Sequence, residues 1–165
     1  MKYLVMVILT FGVHCAQAQP KLHLKILSSK IQSKNSGLSS DYVKKLSNTI
    51  YRYSEQYGIP YAYIQSIFFV ESSYNLNAVN SKSKDYGIGQ VNMWHIKNKK
   101  LSKNRLLNDM DYSVHESVKI MHWFYKTYRD KEPNEWLARY NCGTKPSCIH
   151  WSSVKRYIKK VHKAL

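Results

Sequence analysis

Glu71 stands at the end of an apolar run, Tyr61 to Val70, and the nearest acidic residues on either side are Glu55 and Asp85. A carboxyl that follows Ile67-Phe68-Phe69-Val70 is expected to be partly desolvated. Desolvation disfavours the anion and raises the pKa, which is the tuning a general acid needs near neutral pH. Downstream, Asp85-Tyr86-Gly87-Ile88-Gly89-Gln90-Val91-Asn92 sets Gly87 and Gly89 among amide side chains. Glycine lets backbone approach a ligand closely, and Gln90 and Asn92 can both donate and accept hydrogen bonds. The stretch from Ile59 to Asn92 therefore reads as a helix presenting an acid to a polar cleft. The bland alternatives are a helix-end glutamate in a surface salt bridge and a plain tight turn.

The elements that must position these residues follow from periodicity. Ser39 or Ser40 suits an N-cap, and Val43, Leu46, Ile50, Tyr53 and Tyr57 fall on one helical face that Gly58 ends. Pro60 suits the first turn of a second helix, reaching about Ser73. That helix is apolar over most of its circumference and should be central and buried. Residues 75–84 are turn-like, and 91–100 allow a short helix. Tyr112 to Tyr128 forms a helix with Val114, Val118, Met121 and Tyr125 on one face. Pro133-Asn134 initiates another through Tyr140, residues 141–148 form a loop, and a last helix runs from Trp151 to Ala164 with Val154, Tyr157, Ile158 and Val161 inward. The fold class is mainly α, with at most a small β-hairpin near residues 80–92. Residues 19–38, rich in serine and lysine, read as a loose polar lead-in to a domain over residues 39–165.

The first 18 residues are a separate matter. Lys2, the apolar segment Leu4 to Val13 and Ala16-Gln17-Ala18 have the layout of a secretory signal peptide, too short to span a bilayer. The mature chain is expected to begin at Gln19 and to be periplasmic or secreted, with no stable membrane insertion. Cleavage removes one lysine and no acid, lowering the formal charge from +16 by one, to +15. Such an excess attracts polyanions. The basic residues are scattered and form no nucleic-acid module, so the polyanion expected for an exported protein is the cell envelope rather than nucleic acid. Cys142 and Cys148, six apart in an oxidising compartment, read as a disulfide. A metal pair with His150 would lack the usual close spacing.

Four stretches in order resemble the motifs of soluble lytic transglycosylases. Glu71-Ser72-Ser73-Tyr74-Asn75 is similar to their Glu-Ser motif, and Gly87-Ile88-Gly89-Gln90-Val91-Asn92 to their Gly-Leu-Met-Gln motif. Ala138-Arg139-Tyr140-Asn141-Cys142-Gly143 resembles Ala-Tyr-Asn-Ala-Gly, and Tyr157-Ile158 the late Tyr-Val motif. The single-domain format is most like the small transglycosylases that accompany secretion, pilus and conjugation machines. The resemblance implies a lysozyme-like α-domain, peptidoglycan glycan strands as substrate, and components of such a machine as partners. It implies cleavage of the β-1,4 bond between N-acetylmuramic acid and N-acetylglucosamine, leaving 1,6-anhydro ends, with Glu71 as the single acid and base. It also implies substrate contacts from Gln90, Gly87, Gly89, Asn92, Tyr140 and Asn141, support of Glu71 by Tyr157 and Ser72, and a place for Asn80 near the acid. No metal or organic cofactor is implied.

The chain departs from those motifs at Gly89, where methionine is usual, and at Leu76, Asn80 and Ser153, while Arg139 and Cys142 suggest a reshaped loop. An aromatic such as Trp94 could stack on a sugar. Two other functions compete: a hydrolase like goose-type lysozyme, with Asp85 holding water, and a non-catalytic wall-binding assembly factor, which would have no use for Glu71.

Overall fold

The computed structural model describes residues 19–165; the expected leader over residues 1–18 and its cleavage lie outside them. Helix α1 occupies residues 19–34, and this corrects the expectation of a loose lead-in. Leu27 and Ile31, one turn apart, are fully buried in the core, and burying two such side chains contributes roughly 1.5–3 kcal/mol each. That tertiary gain outweighs a composition that by itself favours no structure.

Helix α2 (Ser40–Tyr57) starts where Ser39 Oγ accepts from the Tyr42 amide at 3.2 Å. It stops at Gly58, whose φ of 64° is the left-handed conformation glycine adopts without strain. Its buried stripe of Val43, Leu46, Ile50 and Tyr53 is the one the spacing predicts. Helix α3 (Tyr61–Ser72) follows Pro60 and buries Ile64, Gln65, Ser66, Ile67 and Phe68 in succession, so that no face of this stretch is solvated. Gln65 is satisfied inside: its amide donates to the Ala164 carbonyl at 3.1 Å and its oxygen accepts from Tyr74 Oη at 2.8 Å. The middle of the helix that carries Glu71 is thus tied to the turn that follows it and to the last helix of the chain.

Three two-residue strands follow, β1 (Val79–Asn80), β2 (Asp85–Tyr86) and β3 (Val91–Asn92), in the antiparallel order β1-β2-β3. Asn80 pairs with Asp85, and Tyr86 with Val91. The expected hairpin gains its third strand because the Gly87–Gln90 turn, with positive φ at both ends, folds Val91 back onto Tyr86. Helix α4 (Met93–Asn98) is capped by Asn92 Oδ1, which accepts from the Trp94 amide at 2.9 Å. A short α5 (Lys103–Asn108), not expected from sequence, is capped by Ser102. Helix α6 (Met110–Tyr128) starts two residues earlier than its periodicity indicated, because Asp109 caps it. Helix α7 (Glu135–Cys142) ends at Gly143, a 3₁₀ turn over Pro146–His150 shapes the expected loop, and α8 (Ser152–Ala164) closes the chain. Helix α6 packs on α2, α5 and α7, while α3 packs on α2 and α8. The result is the mainly α, lysozyme-like arrangement that the sequence indicates, with the small sheet beside the end of α3.

Candidate functional site

The end of α3, the sheet, α4, α6 and the α7–loop segment enclose a cleft of about 510 Å³. Glu71, in the last turn of α3, lines it and is half-buried. Burial pushes the carboxyl from an ordinary 4.5 up to about 7; the nearby Tyr157 hydroxyl favours the anion and offsets part of this, and the charge of Asp85 adds to the rise. Tyr157 Oη is itself buried, and no group among the described residues holds it in ordinary hydrogen-bond geometry. The charged group that most affects it is the Glu71 carboxyl. Burial first, and then the Glu71 charge, hold the Tyr140 and Tyr157 phenols well above their ordinary range, so both remain protonated donors.

The Tyr140 hydroxyl donates to the Gly89 carbonyl at 2.8 Å and lines the cleft. Gly89 has no room for a side chain: a Cβ there would stand 2.6 Å from Ser117 Cβ and 3.0 Å from Tyr140 Oη. The position that is usually methionine in the resembled motif is filled here by α6 and α7. Gly87, at φ 78°, is pressed against Ser113 and the Leu106 backbone. Neither glycine lines the cleft; both let the loop pack onto helices behind it. Ser72 likewise faces inward. Its hydroxyl donates to the Ile88 carbonyl at 2.8 Å and ties the end of α3 to the glycine loop.

Gln90 lines the cleft in the left-handed conformation, φ 49°, and its amide nitrogen donates to the Gly87 carbonyl at 2.9 Å. Asn92 lines it too: while its oxygen caps α4, its amide donates to Asp85 Oδ1 at 2.6 Å. Asp85 also accepts from Ser83 Oγ, which fixes this second carboxylate in the cleft with Glu71. Asn141 is exposed on the cleft wall. Asn80 lies on the exposed edge strand, where its side chain accepts from the Ser83 amide at 3.3 Å, away from the cleft lining. The structure thus brings Glu71, Gln90, Asn92, Tyr140 and Asn141 together, with Ser72, Gly87, Gly89 and Tyr157 behind them.

Cys142 and Cys148 form a disulfide, with Cα atoms 6.0 Å apart, closing the loop that includes the cleft-lining Gly143 and Thr144. The same loop is held from α7. Arg139, buried in an ion pair with Glu135 at 2.9 Å, donates to the Lys145 carbonyl at 2.9 Å. Among the described residues no cluster of His, Cys, Asp or Glu has the makings of a metal site.

Sequence reasoning did not single out Trp123, His95 and Lys99, which line the cleft beside Trp94. Trp94 and Trp123 are 63% and 47% exposed, large costs for indoles unless something covers them. A signal for Trp123 was available, since it falls off the apolar stripe of α6. Burial and the charge of Lys99 hold His95 below the usual imidazole range. An acid of raised pKa, amide side chains and bare aromatic faces make a cleft that can grip a sugar chain and protonate a bridging oxygen.

The family described as the transglycosylase SLT domain matches residues 48–162, most of the chain. Over 98 residues the chain is 36% identical to protein IpgF of Shigella flexneri and 35% identical to protein IpgF of Shigella sonnei. Each alignment covers 56% of this chain and 63% of the relative, so it spans just under two thirds of those proteins. No solved structure matches the chain significantly. With Glu71 and the glycine loop at the cleft and the match running from α2 to α8, the chain belongs to the SLT family of lytic transglycosylases.

Proposed function

We propose that the protein is a peptidoglycan lytic transglycosylase that cuts the β-1,4 bond between N-acetylmuramic acid and N-acetylglucosamine. The observation that carries this reading is Glu71, one carboxyl with a pKa of about 7 at the floor of a sugar-sized cleft. In its neutral form Glu71 protonates the glycosidic oxygen as that bond breaks. As the resulting anion it takes the proton from the muramoyl 6-hydroxyl, whose oxygen attacks C1 and closes a 1,6-anhydro ring. No water enters, so the second carboxylate that two-acid glycosidases use is not required. Tyr157 steadies the Glu71 anion between the two steps, and Gln90, Asn92, Tyr140 and Asn141 hold the strand. Function in the periplasm or outside the cell, after removal of residues 1–18, fits this substrate. A secretion, pilus or conjugation machine is the partner such a small enzyme would serve by opening the wall locally.

One observation favours a second reading: Asp85 lines the same cleft, held by Asn92 and Ser83. A carboxylate there could hold a water and give hydrolysis instead. Mass spectrometry of muropeptides released from purified sacculi separates the two. Anhydro ends that disappear in Glu71→Gln are the expected result. Reducing ends, one water heavier, would shift the assignment to a hydrolase.

A further inference from the structure

The charge around the cleft is lopsided. No acidic residue occurs between Asp85 and Asp109, or anywhere after Glu135. These two acid-free stretches supply two parts of the cleft lining: α4 with Lys99 behind it, and the segment from Tyr140 to Thr144. Lys99 lines the cleft, and Lys145 follows directly on the lining residue Thr144. Both are exposed. The ion pairs among the described residues take Arg52, Arg105, His115, Lys119, Arg129 and Arg139, so neither Lys99 nor Lys145 has an acidic partner. Lys145 is nevertheless placed: the disulfide and the Arg139 bond to its carbonyl fix its backbone, and its ammonium sits 5.6 Å from the Trp151 ring.

A chain of N-acetylated sugars is neutral. In peptidoglycan the negative charge hangs from the muramoyl lactyl groups, as the carboxylates of the peptide stems. Those stems project sideways from a strand lying in a cleft, where rim cations would meet them. We propose that Lys99 and Lys145 bind stem-peptide carboxylates, so that the cleft selects anionic, peptide-bearing strands over neutral glycan. This rests on the reading of the cleft as the peptidoglycan site, and it adds a charge requirement to it.

The test is co-sedimentation with purified sacculi, either native or with their carboxyl groups converted to neutral amides. The Glu71→Gln protein is used throughout so that the wall stays intact. Native sacculi should bind it more tightly than amidated ones, on the order of fivefold for two partly exposed ion pairs. Adding Lys99→Gln and Lys145→Gln should weaken binding to native sacculi by a similar factor and shrink the difference between the two preparations to what the remaining surface charge sustains. Lys44→Gln with Lys45→Gln removes the same charge from exposed positions on α2, which contributes nothing to the cleft lining. That control pair should keep the preference for native sacculi, and thermal unfolding checks that every variant is folded. The proposal is overturned if amidation changes nothing, if the α2 pair loses as much as the rim pair, or if no sacculus is bound at all. Muropeptide release by the unsubstituted protein judges the reaction separately: binding that tracks carboxylates without release would retain the rim and remove the chemistry.

Discussion

In the role proposed for it, Glu71 works as an acid only while neutral, so its surroundings set the pH range. With the pKa held at about 7, the protonated fraction is full in mildly acidic solution and falls as pH rises through 7. The initial rate of muropeptide release should therefore drop along a limb centred there. The neighbours shift that limb in opposite directions. Asp85 raises the Glu71 pKa, so Asp85→Asn should move the limb to lower pH; Tyr157 lowers it, so Tyr157→Phe should move it to higher pH. Shifts of roughly one unit or less suit groups whose influence is secondary to burial. If both variants moved it the same way, the assignment of these two influences would be wrong. Gly89 is the other position where one atom matters. An added methyl meets Ser117 Cβ at 2.6 Å, and overpacking of that kind costs about 1–3 kcal/mol. Gly89→Ala should lower the urea midpoint accordingly; an unchanged midpoint would mean that the loop moves freely away from α6.

At the scale of elements, two tethers shape the cleft. Ser72 joins the end of α3 to the glycine loop through the Ile88 carbonyl, so the acid and the turn opposite it share one frame. The disulfide does the same for the wall after α7. A closed loop this short contributes about 2 kcal/mol in the chain-entropy model. Replacing Cys142 and Cys148 together by serine should lower the midpoint of thermal unfolding by roughly 4–8 °C. Reductant should lower the unsubstituted protein similarly and leave the double variant where it was. Most helices were legible because periodicity and caps agreed: the Ser39 cap and Gly58 stop bracket α2, and Pro60 starts α3. What failed had no such agreement. Helix α1 offers only a thin apolar stripe among lysines and serines, and its order comes from Leu27 and Ile31 meeting distant residues. Helix α5, six residues long, is too short for any periodicity to register.

The whole molecule carries far more positive than negative charge, and the substrate proposed for it is a polyanion. Exposed charge attraction is screened within about 10 Å at 0.1 M salt. Sedimentation with native sacculi should weaken progressively as sodium chloride is raised, whereas binding indifferent to salt would leave the charge without a role. The site divides along similar lines into what could and could not be read. Glu71, Gln90, Tyr140 and Asn141 are visible in sequence because their types and order follow the resembled motifs, and all four line the cleft. That Gly87 and Gly89 serve packing, and that Ser72 and Asn92 brace backbone and Asp85, depends on partners distant in the chain or on other helices. Trp123 and Lys99 reach the cleft only through the crossing of α6 and the end of α4, which no local pattern encodes.

The contact between Gly89 and Ser117 also makes the two positions interdependent. A side chain at 89 is resisted by Ser117, whose Cβ an added methyl would approach to 2.6 Å. Ser117→Gly should therefore relieve part of the cost of Gly89→Ala, so that the double variant is more stable than the sum of the two single changes predicts.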